Sequence, residues 1–175
     1  SLVIALEEIH QQGYINGFSV GVVNADGIHF TKGIGFSSVE NQEAYTGETI
    51  TSVASVSKTV IGVALLKAQE LGKLHLDDPI NTYLPFVIKN PKHPSIPLTL
   101  RQLATHTSSI EDGKNYYNNA YILRDSKERT EGKILKNFND AKNEIPLADF
   151  LQKTLDQEGD WYSKRNFAKT APGSS

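Results

Sequence analysis

Ala54-Ser55-Val56-Ser57-Lys58-Thr59-Val60-Ile61-Gly62-Val63-Ala64-Leu65-Leu66-Lys67-Ala68-Gln69-Glu70-Leu71-Gly72 is the stretch on which the reading of the fold turns. Its apolar residues (Val56, Val60, Ile61, Val63 to Leu66, Ala68 and Leu71) occupy most of a helix circumference. That predicts a long helix from Ser55 to Leu71, buried on nearly all sides. Gly72 fits the position just past the helix, where a left-handed residue closes the last turn. Ser55 falls in the first turn, where N–H groups and the positive dipole end favour a developing negative charge. Lys58, three residues on, lies on the same face, within reach of the hydroxyl. Dipole repulsion and an aliphatic environment both favour a neutral amine, the form that a base for nucleophilic attack requires. Ser55-Val56-Ser57-Lys58 is also an S-x-x-K pattern. In a chain this rich in Ser and Lys, about one such match arises by chance, so context has to decide. The competing reading is an N-cap serine followed by a lysine that reaches to solvent.

Outward from this helix, Leu2, Leu6 and Ile9 recur at helical spacing up to Gly13, which predicts an amphipathic helix over residues 2–12. Phe18 to Val23 and Ile28 to Phe36 flank Asn24-Ala25-Asp26-Gly27, a β-hairpin signal spanning residues 17–36. Residues 37–52 read as polar and turn-rich. Asp78-Pro79 predicts a short helix start, with Tyr83 and Leu84 facing inward. The proline-rich stretch from Pro85 to Pro97 reads as a loop, and Thr99 as the cap of a helix running to about His106. Residues 111–145 read as surface helices and loops, and residues 146–157 as a last amphipathic helix.

The composition is that of a globular domain, 38% hydrophobic and 22% charged, with a formal net charge of −2. This near-neutral balance argues against a nucleic-acid footprint or an anionic membrane surface. The chain has no Cys, which excludes disulfides and thiolate chemistry. No His/Asp/Glu cluster has metal-ligand spacing, so neither metal nor cofactor is expected. No run approaches the roughly 18–20 apolar residues of a membrane span. The opening SLVIALEEIH lacks the basic start of a signal peptide, and a chain that begins with Ser and holds no Met is expected to have lost its natural start.

Other motifs compete for attention. Gly17-Phe18-Ser19-Val20-Gly21 matches the G-x-S-x-G elbow, but that elbow needs a strand-to-helix turn, whereas here a helix precedes and a strand follows. Ser19 therefore reads as a strand residue. His106 beside Ser108 and Ser109 is too close in sequence for triad geometry and reads as a helix-end histidine.

Four spaced blocks together resemble one family. These are Thr51 to Thr59, Leu71 to Ile80, Tyr83-Leu84-Pro85, and Leu98 to Ser108. Their order and wording are similar to the serine β-lactamase-related family of class C β-lactamases, penicillin-binding proteins, D-Ala-D-Ala carboxypeptidases and related esterases. The resemblance implies an α/β fold, the N-terminal part of a β-lactamase/transpeptidase-like domain, with a sheet flanked by helices and a mainly helical lobe from about residue 75. It implies Ser55 as nucleophile, Lys58 as proton acceptor, and an acyl-enzyme formed from an amide, β-lactam or ester. A small-molecule or peptide substrate and a periplasmic or extracellular location follow from the same resemblance; a monomer is expected, with the oligomeric state left open. The alternative it leaves is a relative that binds penicillin-like ligands without turnover.

Two further family motifs, a Tyr-x-Asn and a Lys- or His-x-Gly, do not match. Tyr162-Ser163-Lys164 has Lys where Asn belongs, and Lys169-Thr170-Ala171 lacks the glycine. The family's Tyr-x-Asn follows a Pro-Gly turn, and this sequence stops at Pro172-Gly173-Ser174-Ser175. The expectation is thus residues 1–175 as the N-terminal portion of one catalytic domain, its C-terminal half a necessary partner, and no turnover by residues 1–175 alone. Ser109 replaces the Gly usual after His-Thr-Ser, at a cost of about 1 kcal/mol if its φ is positive.

Overall fold

The computed structural model describes residues 1–123 and 139–174, and divides into two compact units, Ser1–Ser57 and Lys58–Ser175.

In the first unit, helix α1 (Leu2–Gln11) is capped by Ser1, whose hydroxyl accepts from the Ile4 amide. Strands β1 (Gly17–Asn24) and β2 (Gly27–Ser38) form the antiparallel hairpin that the Asn-Ala-Asp-Gly signal predicts. Asn24 Oδ1 accepts from the Asp26 amide at 2.8 Å, and Gly27 takes a positive φ to leave the turn. A two-residue strand β3 (Glu43–Ala44) pairs with the far side of β2, inside the stretch read as polar and turn-rich. The strand order is β1-β2-β3. Buried Leu6 on α1 and buried Ile34 on β2 give this unit its small core.

The second unit opens with α2 (Lys58–Glu70), three residues later than the sequence places it. Residues Ala54–Ser57 form a separate 3-10 turn at the end of the first unit. At its other end α2 closes as expected. The Gly72 amide donates to Gln69 O and the Lys73 amide to Ala68 O, the paired bonds of a Schellman motif with Gly72 at φ 65°. Its burial does not follow the prediction. No residue of α2 is buried, and Val60 and Val63 are 70% and 67% exposed. The physical reason lies in the core that forms instead. Ile80, Phe86, Ile88, Leu98, Leu155 and Phe167 pack together and α2 contributes nothing to that cluster.

Most of the core therefore comes from residues that are irregular in backbone. Phe86 and Ile88 lie in the proline-rich loop, and Leu98 follows it. Asn81 holds this loop by a reciprocal pair, donating to Ile88 O and accepting from the Ile88 amide, both at 2.9 Å. Helix α3 (Leu100–Ala104) carries a complete capping box between Thr99 and Gln102. Its last residue is Ala104, short of the expected boundary near His106, while His106 takes the helix-end place read for it. His106 takes φ 58°, and the His106 and Thr107 amides donate to Leu103 O and Gln102 O, so a histidine fills the left-handed Schellman position. Helix α4 (Lys114–Ala120), the short parallel pair β4 (Ile122–Leu123) and β5 (Asn139–Asp140), and α5 (Leu147–Leu155) complete the unit. The surface helices and loops expected over 111–145 lie partly outside the described residues.

The Asp78-Pro79 helix start is a single 3-10 turn, Ile80–Thr82. Asp78 does not cap it. Its carboxylate faces backwards, accepting from the His75 amide at 3.0 Å and from the Tyr83 hydroxyl. Tyr83 is consequently exposed, whereas Leu84 packs on the core as expected. Arg101 grips Asp77 with two N–H groups, tying α3 to the same turn.

These carboxylates give the fold an acid limit. The Arg101 hydrogen bond holds Asp77 below its ordinary value of 3.8, and the Tyr83 hydroxyl does the same for Asp78. A depressed native pKa contributes stability that is fully present above 3.8 and is lost as pH falls through the lower native value. Melting temperature measured between pH 5 and pH 2 should fall less steeply in Asp77→Asn than in the parent.

Candidate active site

In sequence, Ser55 and Lys58 lie on either side of the division of the chain into two units. Ser55 is the second residue of the 3-10 turn that ends the first unit, and Lys58 is the first residue of α2 in the second. Both are exposed. The lysine is not wrapped in aliphatics as its sequence neighbours suggest, because none of the apolar residues of α2 is buried.

The turn around Ser55 has an unusual backbone. The Val56 amide donates to Val53 O at 3.1 Å, closing a turn with Ala54 and Ser55 at its centre. Ala54 has φ 46°, in the left-handed region that disfavours any residue with a Cβ. Ser52 Oγ supports it only by a long bond, 3.4 Å, from the Ala54 amide. Sequence reasoning had no route to this feature, since the usual marker of positive φ is glycine.

Ser19 lies within β1 opposite Gly33, on a strand and not on a strand-to-helix turn. Tyr162 packs against the core with its ring 6.3 Å from that of Phe167, and its hydroxyl is buried without a hydrogen-bond partner. Burial accordingly pushes that hydroxyl above its ordinary value. The Lys169 carbonyl accepts from His93 Nε2. Both stretches are thus engaged in packing the end of the chain.

Ser109 adopts φ 63°, the positive value that its glycine-like position implies. Its hydroxyl accepts from the fully buried Asn90, whose Nδ2 also reaches Ala168 O. The Ser109 carbonyl accepts from the Ala168 amide at 2.8 Å. The loop after α3 and the segment around residue 168 are thereby stitched together.

A cavity of about 800 Å³ opens in the second unit beside Tyr116, Leu147, Phe150, Lys153 and Trp161. Its aromatic rings meet edge to face, Tyr116 to Phe150 at 6.0 Å and Phe150 to Trp161 at 5.8 Å. The Lys153 ammonium lies 5.5 Å over the Trp161 ring and pairs with Asp160. Burial and the Asp112 carboxylate push the Tyr116 hydroxyl upward. Among the described residues, no group of three His, Cys, Asp or Glu could hold a metal ion, and no helix is long and apolar enough to cross a membrane.

A small antiparallel sheet with an N-terminal helix, a serine-bearing turn running into a long helix, and a lobe of short helices together define the β-lactamase/transpeptidase-like fold. The octameric penicillin-binding protein homologue from Pyrococcus abyssi shares it with a TM-score of 0.61, at 23% identity over 99% of this chain and 34% of that one. The family model described as Beta-lactamase matches residues 5–156, and the chain belongs to that family. Among curated relatives, the mouse "Serine beta-lactamase-like protein LACTB, mitochondrial" is 33% identical over 95% of this chain and 27% of its own length. Its human counterpart is 31% identical over 93% of this chain and 26% of itself. "Protein flp" of Staphylococcus aureus is 30% identical over 60% of this chain and 21% of itself. The chain thus spans about a quarter of the length of its mouse and human relatives.

The stitching at Ser109 is open to test. Ser109→Ala removes the bond to Asn90 while keeping the strained backbone, and should cost about 1–2 kcal/mol. Ser109→Gly loses the same bond but relieves about 1 kcal/mol of strain, so it should melt between the parent and the alanine variant. Urea denaturation of the three proteins gives the order.

Proposed function

We propose that this chain carries the nucleophile of a serine acyl-transfer hydrolase, with Ser55 as nucleophile and Lys58 as its base. The observation that carries the reading is Ser55-Val56-Ser57-Lys58 on a turn leading directly into α2, in a member of the beta-lactamase family. The Ser55 hydroxyl attacks the carbonyl of an amide, β-lactam or ester while Lys58 takes its proton. The oxyanion that forms is held by the Ser55 amide N–H and a second donor. Collapse expels the leaving group, which takes up the proton, and leaves an ester on Ser55 that water then hydrolyses.

The second donor and a tyrosine lie, on this reading, in the C-terminal part of the same domain, beyond residue 175. The exposed apolar side chains of α2, among them Val60, Ile61, Val63 and Leu66, favour such a covering partner. Residues 1–175 are accordingly the N-terminal portion of one catalytic domain. The resemblance to secreted bacterial enzymes favours a periplasmic or extracellular site of action, while the mammalian relatives carry the word mitochondrial in their names.

Steady-state hydrolysis of nitrocefin and a p-nitrophenyl ester by the complete protein tests the reading. Ser55→Ala should abolish turnover, and Lys58→Met should lower kcat by about 10²–10⁴-fold. Residues 1–175 alone should show no Ser55-dependent turnover. Activity that survives Ser55→Ala would refute the assignment. A single burst of product with no further turnover would instead identify a ligand-binding relative.

A further inference from the structure

Helix α5 divides its residues between two tasks. Leu151 and Leu155 pack on the core. Leu147, Phe150 and Lys153, three residues apart and so neighbours on the helix surface, line the cavity of about 800 Å³. Tyr116 of α4, Ile122 of β4 and Trp161 belong to the same lining. None of Tyr116, Phe150 and Trp161 is part of the core cluster, and Leu147 is 73% exposed. Three aromatic side chains from separate segments therefore converge on a cavity that the core does not use.

The aromatic row is held in place by the backbone around it. The Trp161 amide donates to Lys153 O, and Asn115 Nδ2 donates to Trp161 O, each at 2.9 Å. Asn115 lies on α4, so Trp161 is tied to both α4 and α5. Gly159 lets the chain pass close enough for this, since a Cβ there would strike the Gln152 and Lys153 carbonyls. Tyr116, Phe150 and Trp161 then meet edge to face. A wall fixed by the protein's own bonds reduces the ordering cost of binding, and the volume is in the range of sites that enclose a two-ring molecule.

Charge selects the kind of molecule. Lys142 and Glu144 at the cavity carry opposite charges, so Lys153 supplies the excess. Its ammonium already lies over the Trp161 ring, the place where an aromatic wall would take a cation from solution. The counter-ion of Lys153 is Asp160, which is not part of this lining, and the pair is exposed. Such a pair contributes little, so an anion inside the cavity can share the ammonium at small cost.

We propose that this cavity binds an aromatic carboxylic acid, its rings against Tyr116, Phe150 and Trp161 and its carboxylate on the Lys153 ammonium. The proposal does not rest on the reaction at Ser55.

Isothermal titration calorimetry of the complete protein with p-phenylbenzoate, p-phenylbenzamide and p-phenylbenzylammonium, near neutral pH, tests it. The carboxylate should bind about tenfold tighter than the amide, and the ammonium more weakly than either. Lys153→Met keeps most of the stem and removes the charge, and should bring the carboxylate down to the level of the amide. Asp160→Asn releases Lys153 from its counter-ion, and should tighten the carboxylate about threefold with the amide unchanged. Leu147→Asp places a negative charge at the exposed edge of the cavity, where folding is little affected, and should weaken the carboxylate more than the amide. Absence of carboxylate binding, equal affinity for carboxylate and amide, or tightest binding of the ammonium would overturn the proposal. Carboxylate affinity unchanged in both Lys153→Met and Leu147→Asp would overturn it as well, by placing the ligand elsewhere.

Discussion

Burial of Phe167 is the constraint around which the second unit is organised. Its side chain has no exposed surface, and a residue of this size contributes about 2–3 kcal/mol when fully removed from water. Reaching that position late in the chain means threading an irregular segment through the interior, where every backbone polar group needs a partner. The partners are present on both sides. The Glu111 amide donates to Asn166 O and the Ala168 amide to Ser109 O, while Lys92 Nζ reaches Phe167 O. Buried Asn90 and Asn166 add side-chain bonds to Ala168 O and Thr154 O.

This clamp holds two loops that have no regular structure of their own. Loop 88–93 and the bend after α3 are each bonded to the segment around Phe167, so the second unit closes on itself without α2. The exposure of α2 is the counterpart. A helix with apolar residues around most of its circumference can be covered only by several elements at once, and the core has been built elsewhere. The serine-bearing turn precedes this uncovered helix. Its geometry is set locally, by the closing bond from Val56 to Val53 and by the left-handed Ala54 between them.

Several local signals in the sequence proved legible because the responsible chemistry was itself local. Asn24-Ala25-Asp26-Gly27 specifies its hairpin because Asn24 bonds two residues along and Gly27 supplies the positive φ. Thr99 as the cap of α3, and Gly72 after α2, are read equally directly. Features that depend on distant partners were not. Asp78 looks like a cap but is captured by Tyr83, Phe86 and Ile88 look like loop residues but fill the core, and the apolar count of α2 says nothing about what covers it. The candidate site is legible as a pair of residues, Ser55 and Lys58, and as a family resemblance, which the match over residues 5–156 places on firm ground. Ala54 was not legible, because an alanine gives no sign of a left-handed backbone, whereas His106 was read as a helix-end residue without its positive φ.

The account turns on Ser55 being the residue that becomes acylated. Peptide mapping by mass spectrometry, after the complete protein is treated with a fluorophosphonate and separately with a β-lactam, tests this most directly. The account predicts one added group per chain, located on the peptide that contains Ser55 and absent from Ser55→Ala. An adduct on Ser19, Ser108 or any other residue, persisting in Ser55→Ala, would contradict it.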